Sequence, residues 1–326
     1  MGKNEVRNYK ITLKSVGGIT QLPDSQRIFG ALISNYARKN GDEKATGLVQ
    51  AVYQKTIHLA LSNLFPLDYL PMPLDYIVDQ LAQNTSEEKS LKERREEVKK
   101  RTYIRVEDLK KVFNQPEEAC HLFPYVRMGF QQQLRSSVDS ALYGIGGLET
   151  KLYTVPVTEL KEIKEMGKAS PVSEFCFYFQ GSDDEIVDSV LEHIQEMQKK
   201  REKIILGKRA SQGLNLYQIT AVKSIDLSEK KYYLNLGMLL PQKIDFDRSY
   251  LKLFTSERRP FEMAGGWRKS SSKYYISFID SGSIVALQDG VEAAGNCVPS
   301  PFNRNRDIVF GNAFLYPIDW KEGMAE

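Results

Sequence analysis

The chain has 326 residues, and its 45 Lys and Arg against 42 Asp and Glu leave a formal net charge of only +3. At roughly 150 residues per domain this length suggests two domains. A hydrophobic content of 41% with 10% aromatics excludes disorder over the whole chain, and so small a net charge does not by itself announce a nucleic-acid partner.

In chain order, Tyr9 to Val16 alternates, with Tyr9, Ile11 and Leu13 on one side and Lys10, Thr12 and Lys14 on the other, which predicts a half-buried strand. Beyond the Gly17–Gly18 break, Asp24–Ser25 is an N-cap pair for a helix carrying Ile28, Ala31, Leu32 and Tyr36, and Gly41 ends it. A second apolar segment runs from Ile57 to Leu61. Phe65–Pro66 and Leu70–Pro71–Met72–Pro73 then force an extended path. Asn84 to Arg101 mixes both charge signs densely and fits a solvated helix or a mobile connection. Phe130 to Tyr153 is polar and contains Gly144, Gly146 and Gly147, as a long loop or hairpin would.

The middle of the chain is the clearest unit. Phe175 to Phe179 is an aromatic strand, and Ser182–Asp183–Asp184–Glu185 has the form of a capping box. Val187, Val190, Leu191, Ile194 and Met197 follow as one apolar helical face, with Lys199–Lys200–Arg201 at its C-terminal end. The glycine-bounded loop Gly207 to Gly213 leads into a strand from Leu214 to Ala221. Strand, helix, glycine loop, strand is half of a ferredoxin-like sheet, the architecture of RNA-recognition modules. The last third predicts strands at Tyr232 to Leu240, Tyr250 to Thr255, Lys273 to Ile279, Ser283 to Leu287 and Ile308 to Ile318, separated by Gly-, Ser- and Pro-containing turns. Seventeen tyrosines and fifteen phenylalanines against two tryptophans also favour β-rich structure.

The loop is the best functional candidate. Its glycines permit positive φ and close approach of the backbone, its N–H groups can face a phosphate, and Lys208, Arg209 and Ser211 add charge and a hydroxyl. The alternative is a plain turn with two exposed cations. A nucleotide-binding P-loop is excluded, because Glu202 stands where that motif needs Gly and Arg209 where it needs Ser or Thr. Arg248 to Lys273 holds seven basic residues against Glu257 and Glu262, more net positive charge than the whole chain, with Trp267 among them and Tyr274 next to its end. Cations interleaved with aromatics attract phosphate and stack bases; a solvated strand face with core aromatics would look the same.

Catalytic constellations are poor. His58, His121 and His193 are scattered, with His193 expected on the exposed side of its helix, and no metal-ligand or Ser-His-Asp spacing can be assembled. His58 stays open as a general acid or base of a ribonuclease. Cys120, Cys176 and Cys297 are odd in number and far apart, which favours a reducing compartment over a disulfide framework. Met1 to Asn8 lacks the apolar core of a signal peptide, and no stretch approaches the roughly 18 apolar residues of a membrane span. The expectation is a soluble, cytoplasmic protein without cofactor or metal.

Gly207–Lys208–Arg209–Ala210–Ser211–Gln212–Gly213, followed by an aromatic-containing strand, resembles the glycine-rich loop of RAMP proteins, whose usual form is Gly-Lys-Arg-Ser-Ser-Gly. Asp24–Ser25 before Arg27 to Leu32 resembles the family's first helix, and Ser62 to Pro66 with Tyr69 to Pro73 its proline-containing segment. Arg135 to Asp139 followed by Leu152–Tyr153 is similar to its hairpin region. Gly265–Gly266–Trp267, Lys273–Tyr274–Tyr275, Gly282–Ser283 and Gly311 to Pro317 are similar to its C-terminal half. Over about residues 9–318 the chain thus resembles the subunit of type III-A CRISPR (Csm-type) effector complexes that binds the 5′ handle of the guide RNA (crRNA). It departs at Asn63 and Met72, where the family usually has Asp and Lys, and Gln212 lengthens the loop.

The resemblance implies an α+β fold of two modified ferredoxin-like (RRM-like) domains with hairpin and loop insertions. These would be 1–222, with the glycine loop at 207–213 and an inserted charged segment around 84–111, and a β-rich 223–326. It implies a non-enzymatic subunit docked between the large polymerase-type subunit and the first backbone RAMP subunit. The RNA-binding residues it points to are Arg27, Arg135, Gly207, Lys208, Arg209, Ser211, Gly213, Trp267 and Arg268. The alternative is a RAMP endoribonuclease that processes precursor guide RNA.

Overall fold

A computed structural model of the protein describes residues 6–83, 88–138, 150–258, 274–288, 293–301 and 307–320. The opening alternation forms β1 (Val6–Ser15), with Ile11 and Leu13 fully buried and Lys14 exposed on the other side. Helix α1 (Ser25–Asn40) is capped as expected: Asp24 Oδ1 accepts the Arg27 backbone N–H at 2.8 Å, and Gly41 takes φ 90° at the other end. Helix α2 (Asp42–Tyr53) follows, then the short strands β2 (Leu59–Leu61), β3 (Phe65–Pro66) and β4 (Tyr69–Pro71).

After α3 (Leu74–Gln83), the charge-dense stretch is a helix where it is described, α4 (Glu88–Lys100), and Val98 is its buried contact. The next residue, Arg101, is only 3% exposed. Its Nη1 donates to the Glu97 carbonyl at 2.8 Å, its Nε to the Leu122 carbonyl at 3.2 Å, and its guanidinium lies 4.6 Å from the Tyr125 ring centroid. Strand β5 (Tyr103–Arg105) and α5 (Leu109–Asn114) lead to β6 (Tyr125–Val138) and β7 (Thr150–Ile163). These two pair without interruption from Tyr125↔Ile163 to Val138↔Thr150, so the polar stretch is a long hairpin. Strand β8 (Ala169–Pro171) completes a five-stranded sheet in the order β4-β5-β6-β7-β8.

Strand β9 (Glu174–Ser182), α6 (Glu185–Lys199), β10 (Lys203–Ile205) and β11 (Leu216–Ile225) return to β1, giving a first sheet in the order β10-β11-β1-β9-β2. In chain order β1-α1-β2-β9-α6-β11 is strand-helix-strand-strand-helix-strand, with the five-stranded sheet inserted between its halves. Two expectations fail here. The cap of α6 is Asp184, whose Oδ1 accepts the Ile186 N–H at 2.8 Å, while buried Ser182 remains in β9 and its Oγ accepts the His58 N–H at 3.1 Å. A serine held in a strand by its neighbour cannot also cap the helix. His193 is buried, not exposed, because α1 packs across the flank of α6 and brings Tyr36 edge-on to the imidazole.

The C-terminal part is built from β12 (Tyr232–Asn235), β13 (Ile244–Tyr250), β14 (Leu253–Arg258), β15 (Tyr274–Ile279), β16 (Ile284–Leu287), β17 (Val298–Pro299), β18 (Ile308–Val309) and β19 (Leu315–Ile318). Among the described residues it contains no helix. The stretch expected as one strand from Ile308 to Ile318 is two, because Gly311 passes too close to Asn296 and Leu240 for a side chain and Phe314 turns to bond Leu61. Strand β9 is covered on both faces: Phe175, Phe177 and Phe179 lie on the side of α6, and Tyr178 packs on Phe314 with ring centroids 5.2 Å apart. One apolar core therefore runs from Ile11 to Trp320, and the three cysteines are free and buried in the fold. No helix among the described residues is long and apolar enough to cross a membrane.

Candidate functional site

The loop between β10 and β11 is shaped by backbone conformation at both ends of one tight turn. Arg209 has φ 68° and Gly213 has φ 75°, on either side of the 3-10 turn Ala210–Gln212. Gly213 adopts the left-handed region without strain, whereas Arg209 there costs on the order of 1 kcal/mol or more. The turn uses its own N–H groups: Gln212 and Leu214 donate to the Arg209 carbonyl at 3.0 and 3.3 Å, and Gly213 to the Ala210 carbonyl at 2.9 Å. These three amides are therefore not free to face a phosphate. What the loop presents outward is the exposed side chains of Lys208, Arg209 and Ser211.

Gly207 is required for a different reason than the expected positive φ. A Cβ there would lie 2.9 Å from the Asn215 side chain. Asn215, 1% exposed and itself at φ 56°, is the anchor of the loop and carried no signal in the sequence beyond an αL-tolerant residue type. Its Nδ2 donates to the Lys208 carbonyl and to Thr20 Oγ1, both at 2.7 Å, and its Oδ1 accepts the Thr20 N–H at 2.9 Å. The Asn215 N–H donates to the Gly18 carbonyl at 2.9 Å. The Gly17–Gly18 break is thus a docking strip for the loop: a Cβ on Gly17 would fall 2.0 Å from the Gly213 carbonyl oxygen.

Two grooves flank the loop. The first, of about 1160 Å³, runs along α1 and α2 toward β14 and β18, with Arg27 and Lys208 on its wall beside Asp24, Asp42 and Asp307. Arg27 Nε stands 3.8 Å from Asp24 Oδ2. The second, of about 610 Å³, separates the loop from the β6–β7 hairpin and is lined by Arg135, the Gln131–Gln133 run, Gln212 and Gly213. The loop, far in sequence from both, therefore lies between a groove that holds Arg27 and one that holds Arg135. Asn63 serves this arrangement too, since its Oδ1 accepts the Ser25 N–H at 2.8 Å and fixes the start of α1. An aspartate in that position would accept the same bond.

The described part of the basic aromatic stretch reaches the first groove through Phe254 and Ser256 on β14. Arg248 lies 3.5 Å from Asp245 and Lys252 2.9 Å from Asp280, so both are paired locally. Trp267 and Arg268 lie outside the described residues. The histidines are separate. His58 is buried with Nε2 at 2.7 Å from Gln180 Oε1, and desolvation holds its pKa below the usual 6.5. His193 is lowered by burial first and then by Lys39, while His121 is exposed. Among the described residues no cluster of His, Cys, Asp and Glu could hold a metal ion.

No protein-family model matches the chain, and no curated protein matches it in sequence. Its fold matches solved structures. A chain of the crystal structure of the Csm1–Csm4 cassette in complex with cA4 aligns over 97% of this chain and 100% of its own length, with TM-score 0.55 at 15% identity. The same cassette with pppApA gives a TM-score of 0.53 at the same identity and coverage. Coverage is nearly complete on both sides, so the matched chain is about as long as this one. The fold is Csm4-like. A chain of the Csm3–Csm4 subcomplex in the type III-A CRISPR–Cas interference complex covers 96% of this chain and 99% of its own at 16% identity, with a TM-score of 0.48, too loose an overlap to add weight. In the Csm4-like fold the glycine loop stands where the first sheet, the hairpin and the C-terminal strands approach one another.

Proposed function

We propose that this chain is a non-catalytic, RNA-binding subunit of a type III-A CRISPR–Cas (Csm) effector complex. It holds the 5′ handle of the crRNA at the glycine loop and links the large polymerase-type subunit to the backbone RAMP filament. In this reading 1–222 and 223–326 are two ferredoxin-like units with hairpin insertions, and the protein works in the cytoplasm without a cofactor. The observation that carries it is a rigidly anchored loop bearing exposed Lys208 and Arg209, flanked by one groove with Arg27 and another with Arg135, in a Csm4-like fold. Exposed cations beside grooves suit a single-stranded polyanion, whose binding releases counterions. The His58 imidazole, buried and bonded to Gln180, is a poor general base for the endoribonuclease alternative.

The deciding experiment compares crRNA with and without its 5′ handle. Handle-bearing RNA is expected to bind more tightly at fixed salt, with affinity falling as salt rises. Equal affinity for the two RNAs overturns handle capping. Incubation of the pure protein with repeat RNA is expected to leave it intact, and cleavage at a fixed position would establish the nuclease instead.

A further inference from the structure

The first sheet buries one face beneath its helices, where Ile11, Leu13, Ile204 and Tyr217 are fully shielded. Alternation sends their chain neighbours to the opposite face. There the registers Lys203↔Gln218 and Lys14↔Gln218 set Lys203, Gln218 and Lys14 in one row across β10, β11 and β1. The adjoining row, toward the loop, is apolar: Ile205 pairs with Leu216, whose carbonyl accepts the Val16 N–H at 2.9 Å. Ile205 is 42% exposed and Val16 44%. Farther along the sheet Lys10 pairs with Lys223. Lys14, Lys203 and Lys223 are exposed and none is in an ion pair with a described residue, whereas Lys10 is bonded to Asp68. None of the residues in these rows lines either groove beside the loop.

An open apolar row beside a cationic row is poorly matched to RNA. Sheet faces that take single strands stack bases on exposed aromatic rings, and Tyr178, the aromatic that β9 carries on this face, is covered by Phe314. A helix matches both rows. Neighbouring strands lie about 5 Å apart and a helix advances about 5.4 Å per turn, so apolar side chains at i, i+4 and i+7 fall on Val16, Leu216 and Ile205. Successive rows along a strand are about 7 Å apart, so carboxylates on the adjoining side of the same helix reach Lys14 and Lys203. We infer that this face is a docking surface for a partner protein, which it takes by an acidic amphipathic helix laid across β1, β11 and β10. The surface is separate from the RNA site proposed above and does not depend on it.

The test uses the full chain, a charge-reversed Lys14→Glu, Lys203→Glu variant, and a Lys44→Glu, Lys168→Glu control of equal charge change elsewhere. All four lysines are exposed, so the fold is expected to persist, checked by circular dichroism and thermal melting. The probe is a phage-displayed library of helical peptides of about 18 residues, randomised along one face. Selection on wild type is expected to enrich Leu, Ile or Met at i, i+4 and i+7 with Asp or Glu beside them. The strongest peptide, made synthetically, should bind the charge-reversed variant about tenfold more weakly and the control within about twofold of wild type, with affinity falling as salt rises. Replacing Val16 and Ile205 with serine should weaken the same peptide. A library that yields no acidic amphipathic helix, or a peptide that binds the charge-reversed variant as well as wild type, overturns the docking surface. A random single-stranded RNA octamer pool that loses about tenfold in affinity for the charge-reversed variant, with no acidic peptide enriched, makes the face an RNA surface and overturns protein docking.

Discussion

The buried Asn215 side chain donates through Nδ2 to the Lys208 carbonyl at 2.7 Å, so a residue in the core sets the path of an exposed cationic loop. Asn215→Ala removes that bond and both bonds to Thr20, and places alanine at a left-handed φ. The expected cost is about 2–4 kcal/mol of stability, read from the denaturant midpoint. Asn215→Gly restores the backbone freedom but not the hydrogen bonds, and should fall between the two.

The loop cations are expected to act through charge. Replacing Lys208 and Arg209 with alanine should weaken RNA binding and lower the slope of log affinity against log salt by about 1.4, at roughly 0.7 per phosphate contact on a single strand. A titration series from low to high salt reads both. An unchanged slope would remove the loop from the RNA interface.

Gly17→Ala tests how tightly the loop is docked. The added methyl meets the Gly213 carbonyl at 2.0 Å, a backbone atom that cannot swing aside. A destabilisation of about 1–3 kcal/mol is expected, as for overpacking, together with weaker RNA binding. Gly30→Ala in α1, where a Cβ meets nothing within 4 Å, is the control and should be neutral or stabilising.

Stability should depend on the buried histidines. Burial lowers the pKa of His58 and of His193 below 6.5, the second also through Lys39, with Glu196 and Glu202 opposing. The unfolded chain then takes up protons more readily than the folded one, so the neutral rings contribute stability in full above about pH 6.5. That contribution is lost as pH falls from there through the lower folded values. The denaturation midpoint is expected to drop over this acid range, and His193→Phe should flatten the drop.

Arg101 should not tolerate lysine. Its fork bonds two backbone carbonyls while its plane lies against Phe123 and Tyr125, and an ammonium can reproduce neither the fork nor the stacking. Arg101→Lys is expected to lose about 2–3 kcal/mol, measured by urea unfolding.

The sequence alone determined the local units. Alternation placed β1, Asp24 and Gly41 bounded α1, and the apolar stripe from Val187 to Met197 located α6, because periodicity and caps act within a few residues of one another. The order of motifs also carried the resemblance to a Csm-type RAMP subunit, and the glycine loop stood out by composition. Tertiary structure decided the rest, since it depends on what packs against what. Ser182 has the right type for a cap but is held by His58, and His193 is covered because α1 lies on the side of α6 that the stripe left open. Gly207 proved to make room for Asn215, and the Gly17–Gly18 break to be the seat of the loop. Arg27, Arg135 and Lys208 share no pattern along the chain; α1 carries the first to one groove beside the loop and the inserted sheet folds its hairpin back to carry the second to the other, placements between residues more than seventy positions apart that no local preference encodes.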